Sequence, residues 1–278
     1  ISNYSNRLII FTIIINCIIY SQFPVELNRD EITEIHSFLI ENNTELLLEL
    51  SAYTNTDWEI QNSESSCLSI AIDNEWESYN QDIILFSGNN LYNYKVSLGF
   101  FEAGTHTIQF KFDYNKSSQG AELIYIDSIN IIDMHYTGID TDVFSYSPIL
   151  YGRDILAWNE STYTDIPLIM WHEIINEGNY KIIRYSLIFS NEDSRLGIGL
   201  SDLMYSYGRT TDIEWLYEVR LNDQGEIINE KFQGPNHIDT PFEGEKINNH
   251  PILKNATLNC NFVDEGASNY KFFFYRLH

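Results

Sequence analysis

From Glu45 onward, apolar and polar residues alternate with a period of two, the spacing of a half-buried strand. The alternation predicts strands over Glu45–Ser51, Leu68–Asp73, Asp82–Ser87, Tyr94–Phe101, Thr105–Tyr114 and Glu122–Met134. Turn chemistry separates them at Ser87-Gly-Asn-Asn90, Glu102-Ala-Gly104 and Asn115 to Gly120. In the second half, Leu168–Ile175 and Tyr180–Ser190 flank Asn176-Glu-Gly-Asn179, and Thr211–Leu221 and Glu226–Phe232 flank Asn222-Asp-Gln-Gly225. Both pairs read as hairpins. Only Pro24–Asn43 shows helical spacing, with Ile32, Ile35, Phe38 and Leu39 on one face and Asn28-Arg-Asp-Glu31 placed to cap it. Ahead of it, Arg7 precedes a thirteen-residue, largely apolar run, Leu8–Tyr20, and then Ser21. That is the layout of a secretory signal, and the run is shorter than the roughly 20 apolar residues a membrane-spanning helix needs.

Several short strands at regular spacing predict an all-β chain built as sandwiches. The expected organisation is a signal peptide over 1–21, a first β-sandwich over 22–140, a linker from Met134 to Pro148, and a second β-sandwich over 147–278. What remains after cleavage exceeds one domain of about 100–200 residues, which favours two. The missing initial Met and the apolar end, Tyr270–Leu277, point to a piece of a longer chain.

Charge narrows the partners. Forty acidic against sixteen basic residues give a net charge of −24, which repels nucleic acid and anionic membranes and leaves cations or neutral partners such as sugars. Aromatic residues form 14% of the chain, more than a core needs, so some rings are expected at binding faces. Once Cys17 leaves with the signal, Cys67 and Cys260 remain: either a bridge stapling the two halves, or two separate buried thiols. Acceptor triplets for N-glycosylation stand at Asn42, Asn115, Asn159 and Asn255, with one more at Asn3 in the discarded segment.

The order from Lys95 to Met134 carries a resemblance: a strand, an acidic-Gly turn, His106-Thr-Ile-Gln-Phe-Lys-Phe-Asp113, a Gly-containing loop, then Tyr125-Ile-Asp-Ser-Ile-Asn-Ile131. It resembles the closing half of galactose-binding-like jelly rolls, the fold of many carbohydrate-binding modules. The resemblance implies a jelly-roll-like first domain, glycan as ligand and a structural Ca²⁺, toward which Asp127 is placed. The second part looks like a group of secreted proteins of unassigned function, through Tyr146–Arg153 (YSPILYGR), Ser190–Asp193 (SNED), Gly208–Trp215 (GRTTDIEW) and Gln233–His237 (QGPNH). That resemblance implies secretion and lends no activity.

Candidate chemistry lies in both halves. On the strand Thr211–Leu221, Ile213, Trp215, Tyr217, Val219 and Leu221 point one way and Asp212, Glu214, Leu216, Glu218 and Arg220 the other. Asp212 and Glu214 therefore share a face, roughly 7 Å apart. They are either a solvated edge, a cation site, or a carboxylate pair for glycoside hydrolysis with His237 assisting. Arg209 is placed to orient them. The loop Gln233-Gly-Pro-Asn-His237, followed by Asp239, brings amide, imidazole and carboxylate together, while His172, His237 and His250 lack zinc-site spacing. Asn191, Glu192 and Asp193 follow a strand end and either clamp Ca²⁺, which takes about six to eight oxygens, or form an ordinary turn. Trp58, Trp76 and Tyr79 sit on loops among Asn, Asp and Glu, where rings cover sugar C–H faces while polar groups bond hydroxyls. Alternatively, the two Trp cap the core. The resulting expectation is a secreted, non-catalytic glycan-binding protein in which Ca²⁺ is the cofactor to test. The alternatives are an extracellular polysaccharide hydrolase and a structural or adhesive surface protein.

Overall fold

A computed structural model describes residues 23–77, 80–134, 140–153, 167–190, 200–268 and 271–273. The chain is all-β. In the first half the strands are β1 (Val25–Asn28), β2 (His36–Ile40), β3 (Thr44–Thr54), β4 (Ser66–Ile72), β5 (Asn80–Leu85), β6 (Tyr92–Phe101), β7 (Gly104–Phe112) and β8 (Leu123–Asp133). They form two four-stranded antiparallel sheets, in the orders β1-β8-β3-β6 and β2-β7-β4-β5. One apolar core lies between these sheets, with Leu48, Leu50, Val96, Leu98 and Ile126 from the first and Phe38, Ile70, Ile83 and Phe110 from the second. Strand existence follows the period-two pattern closely, because burying one face of each strand is what that pattern encodes.

After β8 comes a short helix α1 (Thr141–Ser145), then β9 (Ile149–Tyr151), β10 (Pro167–Glu177), β11 (Tyr180–Phe189), helix α2 (Leu200–Tyr207) and β12 (Asp212–Asn222). The chain continues through β13 (Ile227–Gly234), β14 (Ile238–Pro241), β15 (Lys246–Ile247), β16 (His250–Asn255), β17 (Phe262–Val263) and β18 (Lys271–Phe273). Strands β10 to β14 make an antiparallel meander, and β15-β16-β9-β18 a second sheet in which β9 and β16 run parallel. Their shared core includes Tyr185, Leu187, Tyr217, Val219 and Phe232 from the meander and Leu150, Leu253 and Phe262 from the smaller sheet. Leu47, Cys67, Ile84 and Met134 of the first half join it, so β4 is buried on both faces.

Three expectations are corrected. Pro24–Asn43 is not helical: it forms β1 and β2, because His36, Phe38 and Ile40 alternate inward while Ile35 and Leu39 face out, and β2 pairs with β7. Backbone pairing with a strand some 70 positions away overrides the local spacing. Met134–Pro148 is not a loose linker in its described part: Asp140 caps α1 by accepting from the Asp142 N–H, and Val143 and Phe144 are buried in the second core. The alternation on β12 breaks at a bulge, since Tyr185 faces Tyr217 but Ser186 faces Trp215, leaving Leu216 as the extra residue. Tyr217, Val219 and Leu221 then point into the core, and Asp212, Glu214 and Glu218 are buried as well. Among the described residues no helix is long and apolar enough to cross a membrane.

Candidate functional site

The bulge on β12 turns Asp212 and Glu214 toward the end of β13 and the loop behind it. Gln233, at that end and buried, donates through Nε2 to Glu214 Oε2, and the same nitrogen lies 2.6 Å from His237 Nδ1. Glu214 Oε2 is itself 3.4 Å from His237 Nδ1. From the turn before β17, Asn259 Nδ2 lies 2.7 Å from His237 Nε2 and Asn261 Nδ2 lies 3.4 Å from Nδ1. One half-exposed imidazole thus gathers a carboxylate and three carboxamides. Their proton placement depends on the imidazole tautomer and on which way each amide is turned.

The backbone around this cluster is unusual. Asn236, His237 and Cys260 all adopt left-handed φ values, 61°, 59° and 49°, a conformation that is uncommon outside glycine and gathers at functional sites. Gly234 is required for a different reason: a methyl there would lie 2.2 Å from Thr240 Oγ1 and 3.3 Å from the Ile238 carbonyl. The Gln-Gly-Pro-Asn-His stretch therefore combines a close backbone approach, a fixed proline φ and two strained residues that aim the imidazole.

Asp212 sits beside this group. Its Oδ1 accepts the Ile213 N–H at 2.9 Å, while Oδ2 is buried without a hydrogen-bond partner. Gln233 Oε1 is orphaned in the same way. Burial pushes the Asp212 carboxyl above its ordinary value, against the Ile213 N–H, the Arg209 charge, the Cys260 thiol and His237, which all pull it down. Arg209 donates to the Thr211 carbonyl next to Asp212.

A testable pH dependence follows. With the folded value raised above 3.8, the folded chain holds this proton more tightly than the unfolded one. The stability that this carboxyl contributes is complete below 3.8 and is lost as the pH rises through the folded value. Asp212→Asn is expected to remove that part of the slope, read as denaturation midpoints between about pH 3 and 7. An unchanged slope would mean that Asp212 titrates normally.

Asp212, Glu214, Arg209 and His237 are brought into one neighbourhood, but both carboxyls are buried in the fold rather than open to a common cleft. Sequence reasoning did not single out Gln233 alone, Asn259, Asn261 or Arg153. Gln233 was visible within its motif; nothing in the local sequence marks the two asparagines. His172 lies on β10 with its pKa pushed down by burial, and His250 is buried, bonded to the Ser147 carbonyl at 2.9 Å and Glu45 Oε1 at 3.3 Å. Neither is bonded to this cluster.

Cys67 and Cys260 are both buried and carry no disulfide, so the bridge expected as one alternative does not form. Asn42 and Asn115 are exposed acceptors, whereas Asn255 is fully buried with both amide atoms lacking partners, and a glycan there is incompatible with the packing. Asp127 is half-buried on β8. Tyr79, Asn159 and the cluster Asn191, Glu192 and Asp193 lie outside the described residues, as does the segment 1–21. Among the described residues no group of three or more His, Cys, Asp or Glu is placed to hold a metal.

The loops of the first sandwich present a second place of interest. Trp58 is 44% exposed, yet its Nε1–H donates to the Phe86 carbonyl at 2.8 Å. The loop that carries it is braced: Asp57 N–H donates to the Ser63 carbonyl at 2.6 Å, Asn62 N–H to Glu64 Oε1 at 2.8 Å, and Ser118 Oγ to Glu64 Oε2 at 2.9 Å. Trp76 is half-buried on the loop between β4 and β5.

No family model matches the chain, and no curated protein does. Neither comparison supports the resemblance read from the motifs of the second half. Partial likenesses to solved structures exist at low TM-score. A ruminal GH26 endo-β-1,4-mannanase matches at TM-score 0.30 and 7% identity, over 44% of this chain and 21% of that one. The Bacillus thuringiensis delta-endotoxin Cry8Ea1 matches at 0.30 and 14%, over 40% and 19%. The C-terminal domain of EclA, a sugar-binding protein, matches at 0.28 and 15%, over 40% and 78%. The chain thus spans about a fifth of the first two, and carbohydrate-active and sugar-binding proteins are among those to which it is similar.

Proposed function

We propose that this is a secreted, non-catalytic glycan-binding protein whose first sandwich engages sugar through Trp58. The observation that carries the reading is an exposed indole whose only polar atom is already satisfied at Phe86. Such a ring offers an apolar face to solvent, held in place at little entropic cost by a braced loop. Asp57, Glu59 and Asn62 on the same exposed loop supply oxygens and an amide for hydroxyl groups. The signal-like start and the exposed acceptors Asn42 and Asn115 support secretion.

A glycan array followed by calorimetric titration tests this. Covering a ring of this size removes about 1.5–3 kcal/mol of apolar exposure, so Trp58→Ala is expected to weaken binding roughly 10- to 100-fold while the chain still folds. Absence of any bound glycan for the wild type would defeat the reading. Repeating the titration in excess chelator tests calcium dependence, and unchanged affinity removes the ion.

The convergence of Glu214, Asp212 and His237 favours a second reading, a polysaccharide hydrolase. A carboxyl such as that of Asp212, whose pKa burial pushes above its ordinary value, is what a general acid needs. Reducing ends released by the wild type and not by Glu214→Gln would support it, and an inert wild type would reject it. Glycan binding is the better-supported reading, because both carboxyls are nearly closed to solvent.

A further inference from the structure

A cleft of about 390 Å³ opens between the two halves of the molecule. Asn43, Glu45 and Phe100 line it from the first half, and Ser145, Asn248 and Asn249 from the second. Phe100 is 43% exposed at the end of β6, outside the sandwich core. Asn43 has its Oδ1 engaged by the Ala103 N–H at 2.9 Å, which leaves its Nδ2 as a donor. Asn248 and Asn249 form the turn between β15 and β16, with Asn248 left-handed at φ 55°, and among the described residues no side-chain bond engages either carboxamide. Glu45 closes the cleft at the seam. Its Oε1 lies 3.3 Å from His250 Nε2 of the second half, while Oε2 lacks a hydrogen-bond partner.

The lining specifies the ligand. Among the described residues it contains no lysine, arginine or histidine, and the chain carries −24 overall, so anions are disfavoured. A half-exposed aromatic ring beside three carboxamides, the hydroxyls of Thr44, Thr141 and Ser145, and a carboxylate suits a ligand with apolar C–H faces and many uncharged hydroxyls. The volume falls in the lower part of the range for small-molecule sites, about 300–1,000 Å³. We propose that this cleft binds one neutral saccharide unit, contacting both halves of the chain at once. The proposal takes its ligand class from the glycan-binding reading above but does not depend on Trp58.

The experiment is a titration of the full chain with neutral monosaccharides and their disaccharides, followed by calorimetry and by the asparagine side-chain amide resonances. Wild type, Phe100→Ala, Asn249→Ala and Trp58→Ala are compared; all three residues are exposed, so these variants are expected to fold. Saturable binding that Phe100→Ala weakens at least tenfold, and that shifts amide signals lost in Asn249→Ala, is the expected result. A ligand that touches both halves is also expected to raise the melting temperature of wild type more than that of Phe100→Ala. If Trp58→Ala abolishes all binding and the two cleft variants bind as wild type, this proposal falls while the Trp58 reading stands. If binding survives Trp58→Ala and fails in the cleft variants, the proposal holds and the Trp58 reading falls. No saccharide bound by the wild type overturns both.

Discussion

Lys116→Met is expected to lower stability by about 3–5 kcal/mol, the cost of removing one partner from a buried ion pair. Lys116 Nζ lies 2.9 and 2.8 Å from the two carboxylate oxygens of Asp82, whose side chain has no exposure at all. Asp113 is 3.8 Å away on the other side. Burial alone would lower the lysine pKa, but Asp82, with Cys67 and Asp113 adding to it, raises it, so Lys116 keeps its charge in the folded state. The group sits on the outer face of β4 and β5, where the second half packs over Cys67 and Ile84. Without its cation, the Asp82 carboxylate keeps the Ser69 hydroxyl at 2.7 Å and the Cys67 thiol at 3.7 Å, which do not offset its desolvation. The measurement is the denaturant midpoint at neutral pH together with a melting temperature, expected to fall on the order of 10 °C. Asp82→Asn in the Lys116→Met background is expected to recover much of the loss, because it removes the stranded charge. A Lys116→Met protein as stable as wild type would show that the pair contributes nothing.

Arg153→Ala is the second large effect, expected at about 2–4 kcal/mol. Arg153 is the largest side chain that is completely enclosed, at 1% exposure, and its Nη1 donates to the Thr257 carbonyl at 3.1 Å. Thr257 begins the turn that places the cluster's asparagines: its Oγ1 accepts the Asn261 N–H at 2.9 Å, and the Ala256 N–H donates to the Asn261 carbonyl at 2.9 Å. Truncation therefore leaves a cavity and also loosens the support of Asn259 and Asn261 against His237. Two readouts separate these consequences. Unfolding midpoints report the cavity, and the His237 ring signals in NMR report the turn. A drop in stability with unmoved His237 signals would confine Arg153 to packing.

These two cases show where sequence reading reached and where it stopped. Ten of the predicted strands rest on period-two alternation, and each has a counterpart from β3 onward, because a strand with one buried face must alternate wherever it pairs. The same logic failed on β12, where the bulge at Leu216 is set by the partner strand β11 and shifts the inward face by one residue. It failed on 24–43 as well, since three of the four residues at helical spacing, Ile32, Ile35 and Leu39, are exposed and serve no helix face.

For the candidate site the division is sharper. The motifs suggested Asp212, Glu214, Arg209 and His237 as one candidate site, but nothing local joined Arg153, Asn259 and Asn261 to it. Folding brings Arg153, Asp212 and His237 around the turn that bears Asn259 and Asn261, none of them adjacent in sequence. Local residues alone determined the all-β class, the acidic net charge and the loop position of Trp58, because these depend on composition and on spacing within a few residues. Which carboxyls are buried, which cysteines stay apart and what His237 touches were decided only by tertiary structure. Burial and long-range hydrogen bonding depend on the partner strand, and the sequence of one strand does not contain its partner.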